Sequence, residues 1–357
     1  MTACGSEDMT KQQTIRTAIL GASGYTGADV IRLAARHPNI KITALVAKGH
    51  AGQTLGQVFP HLASLNLPKL VTADEVDWSA IDLVFCGLPH GTAHVEIAKL
   101  PERIKVIDMS ADFRLNDLEV YAEWYGGKHG APELAKEAVY GLTEHYETAL
   151  QGARLVACPG CYPTAVLLAL LPLVTQKLIS TDDIIVDAKS GVSGAGRTLK
   201  QNILFAEAGE GVSPYGIASH RHVPEIEQEL AFAAQAPVTI NFTPHLVPMS
   251  RGELCTCYVR LAGKTTANDL RVALAKAYAK SPFVRVVEDG VVPATQHVRG
   301  SNECHIGVFA DRIPGRAIVI SAIDNLVKGS AGQALQNFNV MYGFDETLGL
   351  EQLPLFP

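Results

Sequence analysis

The stretch TIRTAILGASGYTGADVIRLAARHPNIKITALV, residues 14–46, decides the fold. It begins with the apolar run TIRTAIL and continues through the glycine-rich turn GASGYTG. An amphipathic pattern follows and ends at Pro38, and a second apolar run, IKITALV, completes the stretch. A strand, a glycine turn, a helix and a second strand within roughly 30 residues form the unit that binds dinucleotides. We therefore predict a Rossmann-like α/β domain that binds a nicotinamide cofactor.

The glycine turn is the predicted phosphate-binding loop. Its glycines are spaced as GxxGxxG, whereas the common fingerprint is GxGxxG, so the placement of the turn carries more weight than its spacing. Gly21 is expected to make the tight turn, and Gly24 to let backbone N–H groups approach a pyrophosphate at the helix N-terminus. A glycine turn that serves packing alone is the alternative. The predicted cofactor loop comprises Gly21, Ser23, Gly24, Tyr25, Thr26 and Gly27.

The end of the second apolar run indicates which cofactor is bound. NAD sites usually place an acidic residue there to hold the ribose 2′-hydroxyl. Here the sequence reads ALVAKGHAGQ, without an acid, and Lys48 stands where a 2′-phosphate would lie. The sequence therefore predicts NADP, and a solvated surface lysine is the alternative for Lys48.

Two further apolar runs, IDLVFCGLP at 81–89 and KVIDMSADFR at 105–114, end in polar residues. The carboxyl ends of strands in such sheets face the ligand crevice. Pro89 is therefore expected to border the cofactor, and Arg114 to bind an anionic group of the substrate through its planar fork. A structural ion pair with an acid is the alternative for Arg114.

The segment CPGCYPTAVLLALLPLV at 158–174 carries the candidate nucleophile. Pro163 suits the first turn of a helix, which would place Cys161 at the helix N-terminus and lower the pKa of its thiol. A thiolate there is ready for acyl chemistry. A zinc clip or a redox pair with Cys158 is the alternative, although zinc sites of this type normally need a second cysteine pair. We predict Cys161 as the nucleophile and Cys158 as a packed neighbour, and no metal.

Two polar segments accompany this cysteine. SPYGIASHRHVPEIEQEL at 213–230 contains His220 and His222, candidate proton shuttles, with Arg221 between them as a candidate anion ligand. The glycine-rich DAKSGVSGAGR at 187–197 includes Ser193 and Gly194, and such a loop can hold a phosphate or a nicotinamide amide. The alternatives for the histidine segment are metal binding and an ordinary surface location of the histidines. The alternative for the glycine-rich segment is a flexible surface loop.

Length, charge and cysteine content indicate the number of domains, the partners and the location of the protein. The chain has 357 residues, which favours two domains, and its net charge of -6 argues against nucleic acid or an anionic membrane surface as the main partner. Seven cysteines without framework spacing indicate reduced thiols and a cytoplasmic location. Residues 1–13 lack the pattern of a secretion signal and are expected to form a disordered leader. The β-runs between 184 and 325 predict a second domain of the α+β class with a mixed or antiparallel sheet.

Seven motifs in order resemble the N-acetyl-gamma-glutamyl-phosphate reductases, NADP-dependent enzymes of arginine biosynthesis related to aspartate-semialdehyde dehydrogenase. The motifs are GASGYTG, SADFR, PGCYPTA, DAKSGVSGAGR, HRHVPEI, HLVPMSRG and SAIDNLVKGSAGQALQN. The resemblance implies that Cys161 attacks an acyl phosphate and that His220 and His222 serve the same site, without showing which of them is the base. It also implies that Asn325 contacts the cofactor and that the chain forms a homodimer or homotetramer.

The resemblance further suggests how the chain divides. A Rossmann-like NADP-binding domain is expected over 14–157 and 326–357, and a catalytic and oligomerisation domain over 158–325. One position departs from the family pattern, because Cys158 stands where the family usually has Asn. A related acyl-phosphate reductase that acts on a carrier-linked aminoadipyl substrate, an aspartyl-phosphate reductase and an NADP-binding sensor without catalysis remain as alternatives.

Overall fold

A seven-stranded parallel sheet forms the first half of the molecule. The computed structural model describes residues 13–357, so the expected leader lies, apart from Gln13, outside the described residues. The strands are β1 (Ile15–Leu20), β2 (Ile40–Val46), β3 (Leu70–Val71), β4 (Leu83–Cys86), β5 (Lys105–Asp108), β6 (Val139–Tyr140) and β7 (Leu155–Ala157). Their order, β3-β2-β1-β4-β5-β7-β6, is that of a doubly wound sheet, and the predicted Rossmann-like domain is confirmed.

Helices cover both faces of this sheet. They are α1 (Tyr25–Ala34), α2 (Leu55–Val58), α3 (Ala93–Ile97), α4 (Leu118–Tyr125), α5 (Pro132–Ala135) and α6 (Thr143–Leu150). Between Ile15 and Val46 the observed elements follow the sequence pattern, because the apolar runs are buried strands and the amphipathic run is α1. One core contains Ile19, Leu45 and Phe85 of three adjacent strands.

The second half contains a mixed seven-stranded sheet. Its strands are β8 (Ile184–Gly191), β9 (Ser213–Pro214), β10 (Ile240–Val247), β11 (Glu253–Arg260), β12 (Val284–Val286), β13 (Cys304–Ala310) and β14 (Arg316–Ile323). The order is β12-β13-β14-β11-β8-β10-β9, and parallel and antiparallel pairs both occur. The predicted α+β class with a mixed sheet is therefore confirmed.

The helix α7 (Cys161–Thr175) positions the candidate site. Every residue from Tyr162 to Val174 is buried, as expected for a helix that is apolar on all sides. It packs across β11 and β14 and against α9 (Val223–Ala234), beside α10 (Ala267–Ala277), and the short helix α8 (Phe205–Ala208) precedes α9 along the chain. The helix begins two residues before Pro163, and its N-terminal end directly follows the turn after β7. Cys161 therefore lies where the first sheet meets the second.

The C-terminal part of the chain returns to the first sheet. A single π-helical turn, Val327–Ala331, leads into α11 (Gly332–Tyr342). This helix packs against α1, α6 and β5, and its Phe338 lies in the core of the first sheet. The boundaries given above for the two domains stay a prediction. In residues 13–357, no helix has the length and apolar character needed to cross a bilayer.

Candidate active site

A cleft of about 570 Å³ opens at the junction of the two sheets. It brings together five residues predicted from the sequence: Cys161, Gly194, His220, Arg221 and His222. The cleft wall also contains His90, which follows the predicted Pro89, and residues that the sequence did not single out, among them Tyr125, Lys200, Asn202 and Tyr215. These residues come from separate elements in both halves of the chain, and their positions along the sequence gave no signal that they share one cleft.

Cys161 is the first residue of α7, and Gly160 caps the helix without a side-chain bond. Cys161 as a residue is partly exposed, whereas the other described cysteines are buried. The backbone N–H of Tyr162 stabilises the thiolate form, as expected at a helix N-terminus. The helix is held close to the opposite wall, because a Cβ atom on Gly329 would lie 2.7 Å from the Cys161 Cβ.

The predicted lowering of the Cys161 pKa is wrong. Burial raises the pKa of the thiol well above its ordinary value, and the nearby Glu253 carboxyl raises it further. The helix N-terminus and Arg114 act in the opposite direction, but burial in a low-dielectric environment dominates. The resting thiol is therefore protonated near neutral pH, and the nucleophile needs a proton acceptor.

The two histidines lie against the turn that presents Cys161. The Nδ1 atom of His220 accepts a hydrogen bond from the backbone N–H of His222 at 3.1 Å, so a neutral His220 ring carries its proton on Nε2. The Nε2 atom of His222 faces Gly160 so closely that a Cβ atom there would lie 2.5 Å away. Burial lowers the pKa of His220 to about 4 and lowers that of His222 well below its ordinary value. Both rings are therefore neutral and able to accept a proton.

Glu225 connects the histidine segment to the cysteine turn. It lies in the first turn of α9 and is almost fully buried. Its Oε1 atom accepts hydrogen bonds from the Gly160 N–H and the Tyr140 hydroxyl, both at 2.8 Å. The sequence placed Glu225 after the histidines but gave no signal of this role, because its partners are distant along the chain.

The two arginines expected to bind substrate differ in their surroundings. Arg114 is buried, and its guanidinium donates to the carbonyl oxygens of Cys158 and Met109 and pairs with Glu225 at 3.4 Å. This favours the structural ion pair that the sequence left as the alternative. Arg221 is exposed and lines the cleft, where its guanidinium contacts the His90 ring. It is available to an anionic ligand.

Cys158 is a packed residue at the end of the first sheet. It is fully buried, and its backbone N–H and carbonyl bond to Asp108 and Arg114. Its sulfur accepts a hydrogen bond from the Asn337 side chain at 3.5 Å. Burial raises the pKa of this thiol to about 12, so it is not a second nucleophile. Among the residues that the structure describes, no group of three or more His, Cys, Asp or Glu side chains could hold a metal ion.

The glycine loop has the shape that a dinucleotide requires. Gly21 has a φ of +79°, and a Cβ atom there would lie 2.4 Å from the Gly87 carbonyl oxygen. No side chain caps α1 and no acid occupies its first turn, so its leading N–H groups are open to an anion. Lys48 is exposed in a short 3₁₀ turn directly after β2. Pro89 is exposed after β4.

A loop of the second half of the chain faces the cofactor loop. Arg197 reaches across to donate to the Ser23 carbonyl oxygen at 3.1 Å, and its guanidinium lies 4.6 Å from the Phe59 ring centroid. Ser193 and Tyr25 share a second cavity of about 380 Å³ between the two halves. The Asn325 side-chain nitrogen donates a hydrogen bond to the Ser193 hydroxyl, and its side-chain oxygen accepts one from the Gly252 N–H. Asn325 therefore orders this loop.

Two family descriptions match the chain. The NAD binding domain of the semialdehyde dehydrogenases matches residues 16–153, and their dimerisation domain matches residues 161–325. Among solved structures, aspartate semialdehyde dehydrogenase II from Vibrio cholerae superposes with a TM-score of 0.70 at 17% identity, over 92% of this chain and 98% of that one. The Candida albicans enzyme with NADP gives 0.65 at 17% identity, over 92% and 98%. At this identity the likeness shows the fold. Fold and family matches together define an NAD(P)-dependent oxidoreductase of the semialdehyde dehydrogenase class.

Curated relatives narrow this class. A Rhodospirillum rubrum N-acetyl-gamma-glutamyl-phosphate reductase is 57% identical over 350 residues, 97% of this chain and 99% of the relative. A probable chloroplastic enzyme of that name from Arabidopsis thaliana is 54% identical over 352 residues, 99% of this chain and 88% of the relative. The chain belongs to the N-acetyl-gamma-glutamyl-phosphate reductase family.

Proposed function

We propose that the protein reduces N-acetyl-L-glutamyl 5-phosphate to N-acetyl-L-glutamate 5-semialdehyde and phosphate, with NADPH, in arginine biosynthesis. The observation that carries the proposal is the cleft in which Cys161, at a helix N-terminus, lies beside two neutral histidines. The names of the relatives that match nearly the whole chain support the choice of substrate.

The proposed cofactor site combines the glycine loop with residues of the second half. The open N–H groups at the start of α1 and the exposed Lys48 suit the phosphates of NADP. Arg197 adds a cation above the same loop. Ser193, Gly194 and Asn325 order the wall between this loop and Cys161. When bound, NADPH supplies the hydride for reduction of the acyl group.

Covalent catalysis by Cys161 is the core of the proposed mechanism. The sulfur attacks the acyl phosphate, the carbon–oxygen bond to phosphate breaks, and a thioester remains on Cys161. This step matters because a carboxylate resists hydride, whereas a thioester accepts it. A histidine of the pair moves protons to and from the acyl oxygen and the sulfur. Backbone N–H groups at the start of α7 stabilise the oxyanion, at roughly 3–4 kcal/mol per donor.

The substrate phosphate is proposed to bind at the cleft mouth. Arg221 and Lys200 both line the cleft there, and the pKa of His90 is lowered by burial first and then by these two cations. A planar guanidinium next to an ammonium group suits a phosphate dianion. We do not assign Arg114 to the phosphate site, because the N–H groups of its guanidinium already bond to other protein atoms.

The match to a dimerisation domain indicates an oligomer, and we propose that its interface is the open face of the second sheet. On β8, β11 and β14 alternate residues are buried against α7, and the others are half-exposed on the opposite face. Leu254, Tyr258, Ile318 and Ile320 form an apolar patch on this face, beside the half-exposed Asp187 and Lys189 of β8. A homodimer or homotetramer would bury it.

The free described cysteines fit a cytoplasmic location.

The reverse reaction tests the function without the unstable acyl phosphate. Enzyme, NADP, inorganic phosphate and N-acetylglutamate semialdehyde are mixed, and NADPH formation is followed by absorbance, with aspartate semialdehyde in a parallel cuvette. Phosphate-dependent NADPH formation with the acetylated substrate alone is expected. Activity with neither substrate would reject the proposed reaction and favour a carrier-linked substrate or an NADP sensor.

A further inference from the structure

Glu253 is a buried carboxyl group beside Cys161 that the mechanism above does not use. It is the first residue of β11, and the alternation of that strand directs Glu253, Cys255 and Cys257 to the buried side of the sheet. The helix α7 packs across β11, and its N-terminal residue is Cys161. The Glu253 carboxyl therefore faces the Cys161 thiol.

The carboxyl group of Glu253 has no completed hydrogen bond. The residue is 0% exposed, and within residues 13–357 neither carboxyl oxygen meets the geometry of a full hydrogen bond, although the Cys161 thiol lies close enough to act on the carboxyl as a donor. Other buried acids at the site are satisfied: Glu225 by Gly160 and Tyr140, and Asp324 by backbone N–H groups. An unsatisfied buried carboxylate is costly, so its presence next to the nucleophile calls for a chemical reason.

Among residues 13–357, no cation acts on the pKa of the Glu253 carboxyl. The titratable groups facing it from the surrounding elements are Cys161 and Tyr162 of α7, Tyr215 after β9, Cys255 of its own strand, Cys304 of β13 and Asp324 after β14. Burial and then Asp324 raise the pKa of Glu253 to about 8, against the opposing effect of the Cys161 thiol. The Glu253 carboxyl therefore becomes a carboxylate as the pH rises toward about 8, below the pH range in which the buried thiol ionises.

We propose that Glu253 takes the proton of the Cys161 thiol when the sulfur attacks the acyl group and returns it when the sulfur leaves. This rests on the covalent reaction proposed above, but it moves the proton transfers at the sulfur from the histidine pair to Glu253. Glu253 serves the sulfur, and the histidine pair serves the acyl oxygen. A transfer from thiol to carboxylate leaves the net charge of the buried pair unchanged, so no new charge has to be created in the low-dielectric interior.

Each bond that breaks is matched by a bond that forms, both when the sulfur attacks and when it leaves. On attack, the S–H bond breaks and an O–H bond forms on Glu253, while the sulfur electron pair forms the C–S bond and phosphate leaves with the electrons of the C–O bond. On collapse of the thiohemiacetal, the C–S bond breaks and its electron pair returns to sulfur. The sulfur then takes the proton from Glu253, which is again a carboxylate.

Alkylation of Cys161 tests the proposal without substrate or cofactor. Wild type, Glu253→Gln and Glu253→Asp are treated with iodoacetamide from neutral to alkaline pH, and modified Cys161 is quantified by peptide mass spectrometry. Wild type should react faster as pH rises through about 8, because the carboxylate form accepts the proton. Glu253→Gln should react at least about tenfold more slowly at that pH, equivalent to one pKa unit, and Glu253→Asp should be intermediate.

A purely electrostatic role predicts the opposite sign. Removing a negative charge from beside the thiol would lower the Cys161 pKa and speed alkylation. A Glu253→Gln rate equal to or above wild type therefore overturns the proposal. Glu229→Gln, which changes a buried carboxyl bonded to Tyr146 and Gln228, is the matched control and should react as wild type does.

Two further measurements distinguish a change in Cys161 reactivity from a loss of folding and from a failure of the proposed function. Thermal unfolding and NADPH binding establish that each variant is folded. If Glu253→Gln does not fold, Glu253→Asp decides, and a rate at or above wild type overturns the proposal. The phosphate-dependent reverse reaction of the wild type tests the proposed function separately, so failure of one is distinguishable from failure of the other.

Discussion

The Glu225 carboxylate accepts a hydrogen bond from the backbone N–H of Gly160 at 2.8 Å, across 65 residues of sequence. Through this bond the helix that follows the two histidines holds the turn that presents Cys161. The same carboxylate pairs with Arg114, which in turn binds the Cys158 carbonyl oxygen. The turn is therefore held from both sides, and its geometry depends on one buried acid.

Glu225→Ala is expected to destabilise the protein strongly. It would leave the Arg114 cation buried without its counterion and two hydrogen-bond donors unsatisfied, a loss of about 3–5 kcal/mol in the free energy of unfolding. Thermal or urea unfolding measures this loss. Glu133→Ala, which removes an exposed partner of Lys136, is the control and should change stability by less than about 0.5 kcal/mol. Equal effects of the two variants would contradict the assignment of Glu225.

Gly160→Ala should impair turnover while the cofactor still binds. A Cβ atom at this position would lie 2.5 Å from His222 Nε2, so the imidazole must move away from the cysteine turn. We expect kcat to fall by about a hundredfold, the lower end of what a displaced proton shuttle costs. Gly127→Ala, where a Cβ atom meets nothing within 4 Å, is the matched control. Steady-state kinetics and NADPH titration compare them, and an unimpaired Gly160→Ala would remove His222 from catalysis.

The two cysteines of the turn should behave differently. Cys161→Ala is expected to abolish turnover and leave NADPH binding nearly unchanged, because the sulfur is the nucleophile and lies outside the glycine loop. Cys158→Ala removes a buried sulfur whose polar contact is a long bond from Asn337, and most activity should remain. Rate assays and fluorescence titration with NADPH measure both properties. A Cys161→Ala enzyme that kept a tenth of its activity would exclude the covalent mechanism.

The sequence predicted best what local patterns determine. The first two strands, α1 and the glycine turn follow from apolar periodicity and glycine placement within one continuous stretch. The N-terminal position of Cys161 on α7 follows from the prolines and the apolar run after it. These features depend on neighbours along the chain, which a single sequence displays directly.

Long-range packing determined what the sequence could not predict. The raised pKa of Cys161 depends on burial by a strand nearly a hundred residues later, which opposes the helix N-terminus. Arg114 was expected to face the ligand, but its position after β5 places it beneath the cysteine turn, against Glu225. Glu253 was missed because nothing in its own strand marks it, and only the packing of α7 on β11 brings it to the sulfur.

Arg221 and Arg114 should separate substrate binding from stability. Arg221→Ala is expected to raise the KM for the phosphorylated substrate by about tenfold or more, with little change in unfolding, because the guanidinium is exposed in the cleft. Arg114→Ala should mainly lower stability, since it leaves Glu225 buried without its counterion. Steady-state kinetics gives the KM of each variant, and thermal unfolding gives the stability of each. A stable Arg114→Ala enzyme with only a raised KM would restore Arg114 as the substrate ligand.

Lys48→Ala should weaken NADPH binding far more than NADH binding. Lys48 is exposed directly after β2, and no acid stands at the end of that strand to repel a 2′-phosphate. Loss of one charge-assisted contact corresponds to about 1.5–3 kcal/mol, or roughly tenfold to a hundredfold in Kd. Lys41→Ala, at the opposite end of β2, is the matched control and should change neither Kd. Fluorescence titrations with both cofactors measure the two Kd values. Equal losses for NADPH and NADH would remove Lys48 from the 2′-phosphate site and leave Arg197, which bonds to Ser23 of the glycine loop, as the candidate cation.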